Sequence, residues 1–241
     1  MTVVFILLIL AAYLLGSVPT AYLVAKWRRG IDIRQYGSGN VGASNVLATV
    51  SKRWSILVTI FDIGKGALTV WVAKLLFPDI PAYQITVGIT AIIGHNWPVF
   101  LGFRGGRGMF TTLGVITMLS WKLGLIVTVI SYTLAPWHQV ALGATLALVS
   151  LPFFSWFLTQ PLDIEARLPI TLGFAALVLI VLARRLITPR TLLTESVHPA
   201  ELFFNRLLFD RDIRDRKAWI SQTRSEVGST EQPPRQEEQG N

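Results

Sequence analysis

Apolar residues run in long unbroken blocks along most of the chain, and polar residues gather between them. Seven blocks stand out, at 2–25, 55–77, 83–100, 109–121, 123–135, 140–158 and 168–186. A bilayer core about 30 Å thick is crossed by roughly 20 helical residues, so the pattern predicts an all-α membrane protein with seven transmembrane helices. The blocks at 109–121 and 123–135 are the shortest, and six crossings is the alternative count. The first block, TVVFILLILAAYLL, carries no charge until Lys26, and its basic residues follow it in KWRRG. A cleaved leader has the reverse order, so this block is expected to be retained.

Lys and Arg give the expected orientation, because they are held on the cytoplasmic side of a membrane. Of the 22, six fall in 26–53, two in 103–108 and ten from Arg184 onward. Seven crossings put these three segments on one face, with the N-terminus outside and the C-terminus in the cytoplasm. Composition agrees: 52% of residues are hydrophobic, 15% are charged, and the mean hydropathy is +0.52. The net charge of +8 sits beside apolar blocks, where it meets anionic headgroups rather than nucleic acid. With no cysteine, disulfides, a thiolate nucleophile and Cys-ligated metal are excluded.

The polar segment 37–45 reads GSGNVGASN, and GSGNVG fits the dinucleotide fingerprint G-x-G-x-x-G. That fingerprint has meaning only between a buried strand and a helix. WRRGIDIRQY, which precedes it, is too charged for a central strand, and Asp62, at the ribose-binding spacing, lies inside an apolar block. What remains is a loop of glycines with Ser38, Asn40, Ser44 and Asn45. Glycine reaches positive φ freely, so consecutive N–H groups can turn toward one phosphate, with Ser44 or Asn45 opening the next helix. A tight turn with an N-cap is the alternative. The segment 94–108, GHNWPVFLGFRGGRG, supplies His95 and Asn96, then Arg104 and Arg107 among Gly105, Gly106 and Gly108. Guanidinium forks suit phosphate, and two such loops on one face are expected to form one anion site. Asp62 and Lys65, one helical turn apart in FDIGKG, are expected to pair as scaffold, with Gly64 and Gly66 admitting a neighbouring helix.

GSGNVGASNV, DIGKG and GHNWPVFLGFRGGRG together resemble the motifs of the bacterial membrane-embedded acyl-phosphate-dependent glycerol-3-phosphate acyltransferases, over roughly residues 1–210. The resemblance implies transfer of a fatty acyl group from acyl phosphate to the 1-hydroxyl of glycerol 3-phosphate, giving lysophosphatidic acid and phosphate. It implies an active site on the cytoplasmic side of the bacterial inner membrane, in a chain expected to be monomeric and to need neither cofactor nor metal. It assigns Ser38 and His198 to catalysis. Substrate binding falls to Gly37, Gly39, Asn40, Gly42, Asn45, His95, Asn96, Arg104, Gly105, Gly106, Arg107 and Gly108. No nucleophile elbow or H-x-x-x-x-D block is present, so positioning and charge neutralisation carry the expected chemistry.

The chain departs from the family pattern in three places. Ala48 stands where an Arg is usual, with Lys52 or Arg53 as substitutes one turn on. Arg104 and Arg107 replace lysines. The third motif, H-R-x-N-x-x-R-L, is altered to VHPAELFFNRLL. The rival readings are a small anion transporter and a relative that binds without turnover. The expected layout is a transmembrane acyltransferase-like unit at 1–187, a partly amphipathic cytoplasmic segment at 188–220 lying on the membrane surface, and a disordered polar tail at 221–241.

Overall fold

The computed structural model describes residues 1–164, 166–187 and 197–213, so all of the expected tail and part of the amphipathic segment lie outside the described residues. Among the described residues there is no strand. The helices are α1 (Thr2–Ser17), α2 (Thr20–Arg29), α3 (Ala43–Thr49), α4 (Lys52–Leu76) and α5 (Pro81–Asn96). They continue as α6 (Met109–Leu119), α7 (Trp121–Thr133), α8 (Val140–Phe157), α9 (Arg167–Leu186) and α10 (Pro199–Phe204).

Among the described residues four stretches are long and apolar enough to cross a membrane: Thr2–Arg29, α4, α8 and α9. The blocks expected at 83–100, 109–121 and 123–135 become α5, α6 and α7, of 16, 11 and 13 residues. At 1.5 Å per residue α6 is only about 16 Å long. Ser120 ends α6 and caps α7, its hydroxyl accepting from the Leu123 amide, and Gly124 of α7 closes onto Thr117 of α6.

The first expected span is not one continuous helix. Pro19 has no N–H and forces its predecessor extended, and Val18 takes ψ 112°, so the chain breaks into α1 and α2. Inside a bilayer the freed backbone groups need new partners. Lys65 of α4 meets this need, its Nζ donating to the Val18 carbonyl at 3.2 Å.

Large apolar side chains cover the outside of the bundle, among them Leu7, Phe61, Leu125, Phe153 and Leu179. Small residues line its seams, as helices need when lipid removes any hydrophobic drive to associate. A methyl on Gly16 of α1 would strike the backbone of Ala91 in α5, and one on Gly94 of α5 would strike that of Tyr13 in α1. Gly66 of α4 meets Thr111 of α6 in the same way, answered by Gly114 of α6 against Ile63 of α4. Gly64, expected to share this role, faces open space.

Substituting Gly66 with Leu is therefore expected to separate α4 from α6 and to destabilise the protein by about 1–3 kcal/mol or more, the usual cost of overpacking. Gly64→Leu is expected to leave the melting temperature of the detergent-solubilised protein almost unchanged. Equal losses in the two variants would contradict the helix seam.

Candidate functional site

The first glycine loop begins where Gly30, in the left-handed region at φ 69°, ends α2. Asp32 then accepts from the Arg34 amide at 3.0 Å and binds its guanidinium at 2.6–3.2 Å. This charge-assisted contact holds the Asp32 carboxyl below the usual carboxylate range. Ile33 is buried as the loop's anchor. Gly37 and Gly39 take positive φ, 62° and 65°, which side chains with a Cβ rarely adopt.

Asn45 has a different place from the one expected. Its side chain is 1% exposed. Its Nδ2 donates to the carbonyls of Ile33, Tyr36 and Asn40 at 3.1, 2.9 and 3.0 Å, and its Oδ1 accepts from the Ser38 amide at 3.2 Å. The Asn45 amide group is thus committed to the loop itself. Nor does Ser44 or Asn45 open α3: the N-cap is Gly42, in extended backbone with no side-chain cap. The Ser38 hydroxyl has no protein partner among the described residues, and Ala48, Lys52 and Arg53 are exposed.

The second loop folds back on the end of α5. Gly106 donates its amide to the His95 carbonyl at 3.1 Å. Its Cα is wedged between the His95 imidazole and the carbonyl of Val41, and neither side has room for a Cβ. Gly106 is therefore where the two loops meet. Arg34 makes a second link, donating to the Leu101 carbonyl at 3.2 Å. Gly105 lies as tightly against His95 and Pro98, and Gly108, at φ 70°, is the N-cap of α6 beside the Asn96 side chain. The Asn96 side chain is fully buried, and neither of its polar atoms has a partner among the described residues.

Arg184 supports this loop from α9. Its Nε donates to the carbonyls of Asn96 and Gly106, both at 3.1 Å, and its Nη2 to that of Gly105 at 3.0 Å. In the sequence Arg184 registers only as one of the cytoplasmic-side basic residues. Two adjacent arginines ending an apolar helix are the signal that could have marked it. His95 stands above a second buried cluster: Asp62 Oδ1 accepts from Thr20 Oγ1 at 2.9 Å, pairs with Lys65 Nζ at 2.8 Å, and lies 3.6 Å from His95 Nδ1. The expected Asp62–Lys65 pair is present and holds α2, α4 and α5 together.

Two distributions of hydrogen bonds result. The carbonyls of Ile33, Tyr36, Asn40, Asn96, Gly105 and Gly106 are taken by Asn45 and Arg184. The amides of Ser38, Gly39, Gly42 and Gly106 are used internally. Those of Gly37, Asn40, Val41, Gly105, Arg107 and Gly108 donate to no protein acceptor among the described residues. Arg104 is exposed and likewise unpartnered. Arg107 instead donates to the Asp210 carbonyl at 2.7 Å and pairs with its carboxylate at 3.0 Å.

His198 is not brought to either loop. It is exposed and caps α10, its Nδ1 accepting from the Ala200 amide at 3.3 Å. Pro199 occupies the first helical position, where its fixed φ suits the helix and its missing N–H leaves nothing unpaired. Within the segment expected to lie on the membrane surface, α10 ends at Phe204 and the chain continues as a π-helical turn, Asn205–Phe209, in which Asn205 and Arg206 are buried.

Comparison with known proteins gives three findings. The family described as Glycerol-3-phosphate acyltransferase matches residues 6–192. Glycerol-3-phosphate acyltransferase 4 of Dehalococcoides mccartyi (strain CBDB1) is 44% identical over 92% of this chain and 95% of its own length. A glycerol-3-phosphate acyltransferase of Prochlorococcus marinus (strain MIT 9215) is 42% identical over 63% of this chain and 77% of its own. Among solved structures the fold is similar to PlsY (YgiH), an integral membrane glycerol 3-phosphate acyltransferase. Its glycerol 3-phosphate form gives a TM-score of 0.70 at 30% identity, covering 80% of this chain and 94% of that one. The lysophosphatidic acid form gives 0.69 at 28%, covering 90% and 98%.

Removing the carbonyl partners should collapse the loops. Asn45→Asp, which sets an anion against three carbonyl oxygens, is expected to cost more than Asn45→Ala. Arg184→Met leaves buried acceptors unpaired at about 1–3 kcal/mol each. Thermal unfolding in detergent and limited proteolysis at 37–42 and 102–108 read both effects, and native resistance in the Asn45→Asp protein would contradict the assigned role.

Proposed function

The chain belongs to the glycerol-3-phosphate acyltransferase family, and from that membership we propose that it acylates the 1-hydroxyl of glycerol 3-phosphate with acyl phosphate as donor, forming lysophosphatidic acid and inorganic phosphate for phospholipid synthesis. The observation that carries this reading onto particular residues is the set of six amides without protein acceptors on two touching glycine loops, with Arg104 exposed beside them.

In this mechanism the hydroxyl oxygen attacks the carbonyl carbon of acyl phosphate. The tetrahedral adduct then expels phosphate, and the hydroxyl proton leaves on a phosphate oxygen. Both substrates are anions and repel each other. Backbone amides with guanidinium groups offset that charge and hold the reacting atoms together. Ser38, Gly37, Gly39, Asn40 and Gly42 form the wall for the acyl phosphate. Arg104, Arg107, Gly105, Gly106 and Gly108 form the wall for glycerol phosphate, with His95 and Asn96 beneath it. Asn45 and Arg184 act through the loops they brace.

The proposed setting is the bacterial inner membrane, crossed seven times by a monomer whose N-terminus lies outside and whose glycine loops face the cytoplasm. In this layout α5, α6 and α7 are the third to fifth crossings. Residues 1–187 form the catalytic unit, and 188–220 and 221–241 are appended to it. The exposed apolar belt and the clustering of Lys and Arg on three segments support this arrangement.

Purified protein in liposomes, given acyl phosphate and radiolabelled glycerol 3-phosphate, is expected to release phosphate and form labelled lysolipid in equal amounts. Ser38→Ala and Arg104→Ala are expected to lower kcat/KM by about 10–100-fold, the range for loss of a charge-assisted or anion-stabilising donor. Arg104→Lys should retain part of it, keeping charge without the fork. Flux of glycerol phosphate with no lysolipid would instead make the protein a transporter.

A further inference from the structure

The segment that follows α9 returns to the second glycine loop and lays a carboxylate on it. Asp210 ends the turn at Asn205–Phe209 in the left-handed region, at φ 57°. Its carbonyl accepts from Arg107 Nη1 at 2.7 Å, and its Oδ2 lies 3.0 Å from the same nitrogen. Its Oδ1 is 3.3 Å from Arg185 Nε, a charge contact rather than an aligned hydrogen bond. Arg107 therefore already holds an anion supplied by the chain, whereas Arg104 holds none among the described residues.

The segment has further contacts besides that carboxylate, within itself and with its neighbours. Arg206 pairs with Asp212 at 2.7 and 3.3 Å and donates to the Leu186 carbonyl at 3.2 Å. Asn205 Nδ2 donates to the Asp212 carbonyl and Thr145 Oγ1 to that of Leu208, both at 3.2 Å. Arg185 donates to the Leu207 carbonyl at 2.9 Å, and Arg211 to Gln139 Oε1 at 3.2 Å. With the segment fixed by its neighbours, the side chain of Asp210 is left to supply charge. A carboxylate and a phosphate compete for the same guanidinium fork, and the phosphate carries up to twice the charge.

We propose that Asp210 is a resident anion at Arg107 which the phosphate substrate displaces, so that it lowers the apparent affinity of the site for that substrate. The proposal rests on the reading of Arg107 as part of the glycerol phosphate wall. Every anion that binds Arg107 must first move Asp210 aside, so its apparent dissociation constant is raised by the inverse of the fraction of molecules in which Arg107 is open.

The test uses full-length protein in liposomes with Asp210→Asn and Asp210→Gly, both of which suit a left-handed position. The KM for glycerol 3-phosphate is expected to fall about three- to tenfold, as for a site whose competent fraction rises from ~10–30% to near unity. Inhibition by acetate, an anion of single charge, is expected to strengthen in both variants by the same factor. A KM unchanged or raised in variants of native melting temperature overturns the proposal, and so does failure of both to fold, which would make Asp210 a structural brace. Arg107→Ala separates the two levels: an unchanged KM there sinks the phosphate-site reading itself. A raised KM there, with Asp210→Asn unaltered, sinks only the role of Asp210.

Discussion

A loop that offers its N–H groups to an anion cannot use those same groups to hold itself together. Ordinary turns pair amides with carbonyls, and buried carbonyls left alone are costly. In this protein two side chains break the deadlock. The Asn45 amide takes three carbonyls of the first loop, and the Arg184 guanidinium takes three of the second. The carbonyls are satisfied from outside the loops, so amides on both remain available. The positive φ of Gly37, Gly39 and Gly108 turns the backbone, but the two braces keep it turned.

The loops are fixed to each other by the absence of side chains where they meet. Gly106 fits between the His95 ring and the Val41 carbonyl only because it has no Cβ. His95 is in turn seated over Asp62, which also gathers Thr20 and Lys65. Lys65 answers both the carboxylate and the carbonyl freed by the break at Pro19. A chain of contacts thus runs from the interrupted first helix, through the buried charge cluster, to the junction of the loops. Reciprocal glycine contacts of α1 with α5 and of α4 with α6 hold the helices close enough for it.

Much of the fold could be read from the sequence. The apolar blocks became helices, the Asp62–Lys65 pair formed, and the two glycine-rich segments came together. Residues whose role depends on a distant partner could not be read. Asn45 has the composition of a ligand and proved to be a brace. Arg184 has the signature of a topological anchor and proved to be a brace as well. His198, placed by its likeness to a motif, is exposed and caps a short helix. Arg107 and Asp210 are 103 residues apart, and no local pattern connects them.

The sequence by itself determined the membrane setting, the helical class and the two loops suited to phosphate, because hydropathy and glycine content act locally. Only the tertiary structure decided which polar groups are spent on the protein and which are left for a ligand. Hydrogen-bond capacity is finite, and its allocation depends on which side chains the packed helices bring within hydrogen-bonding distance of each carbonyl.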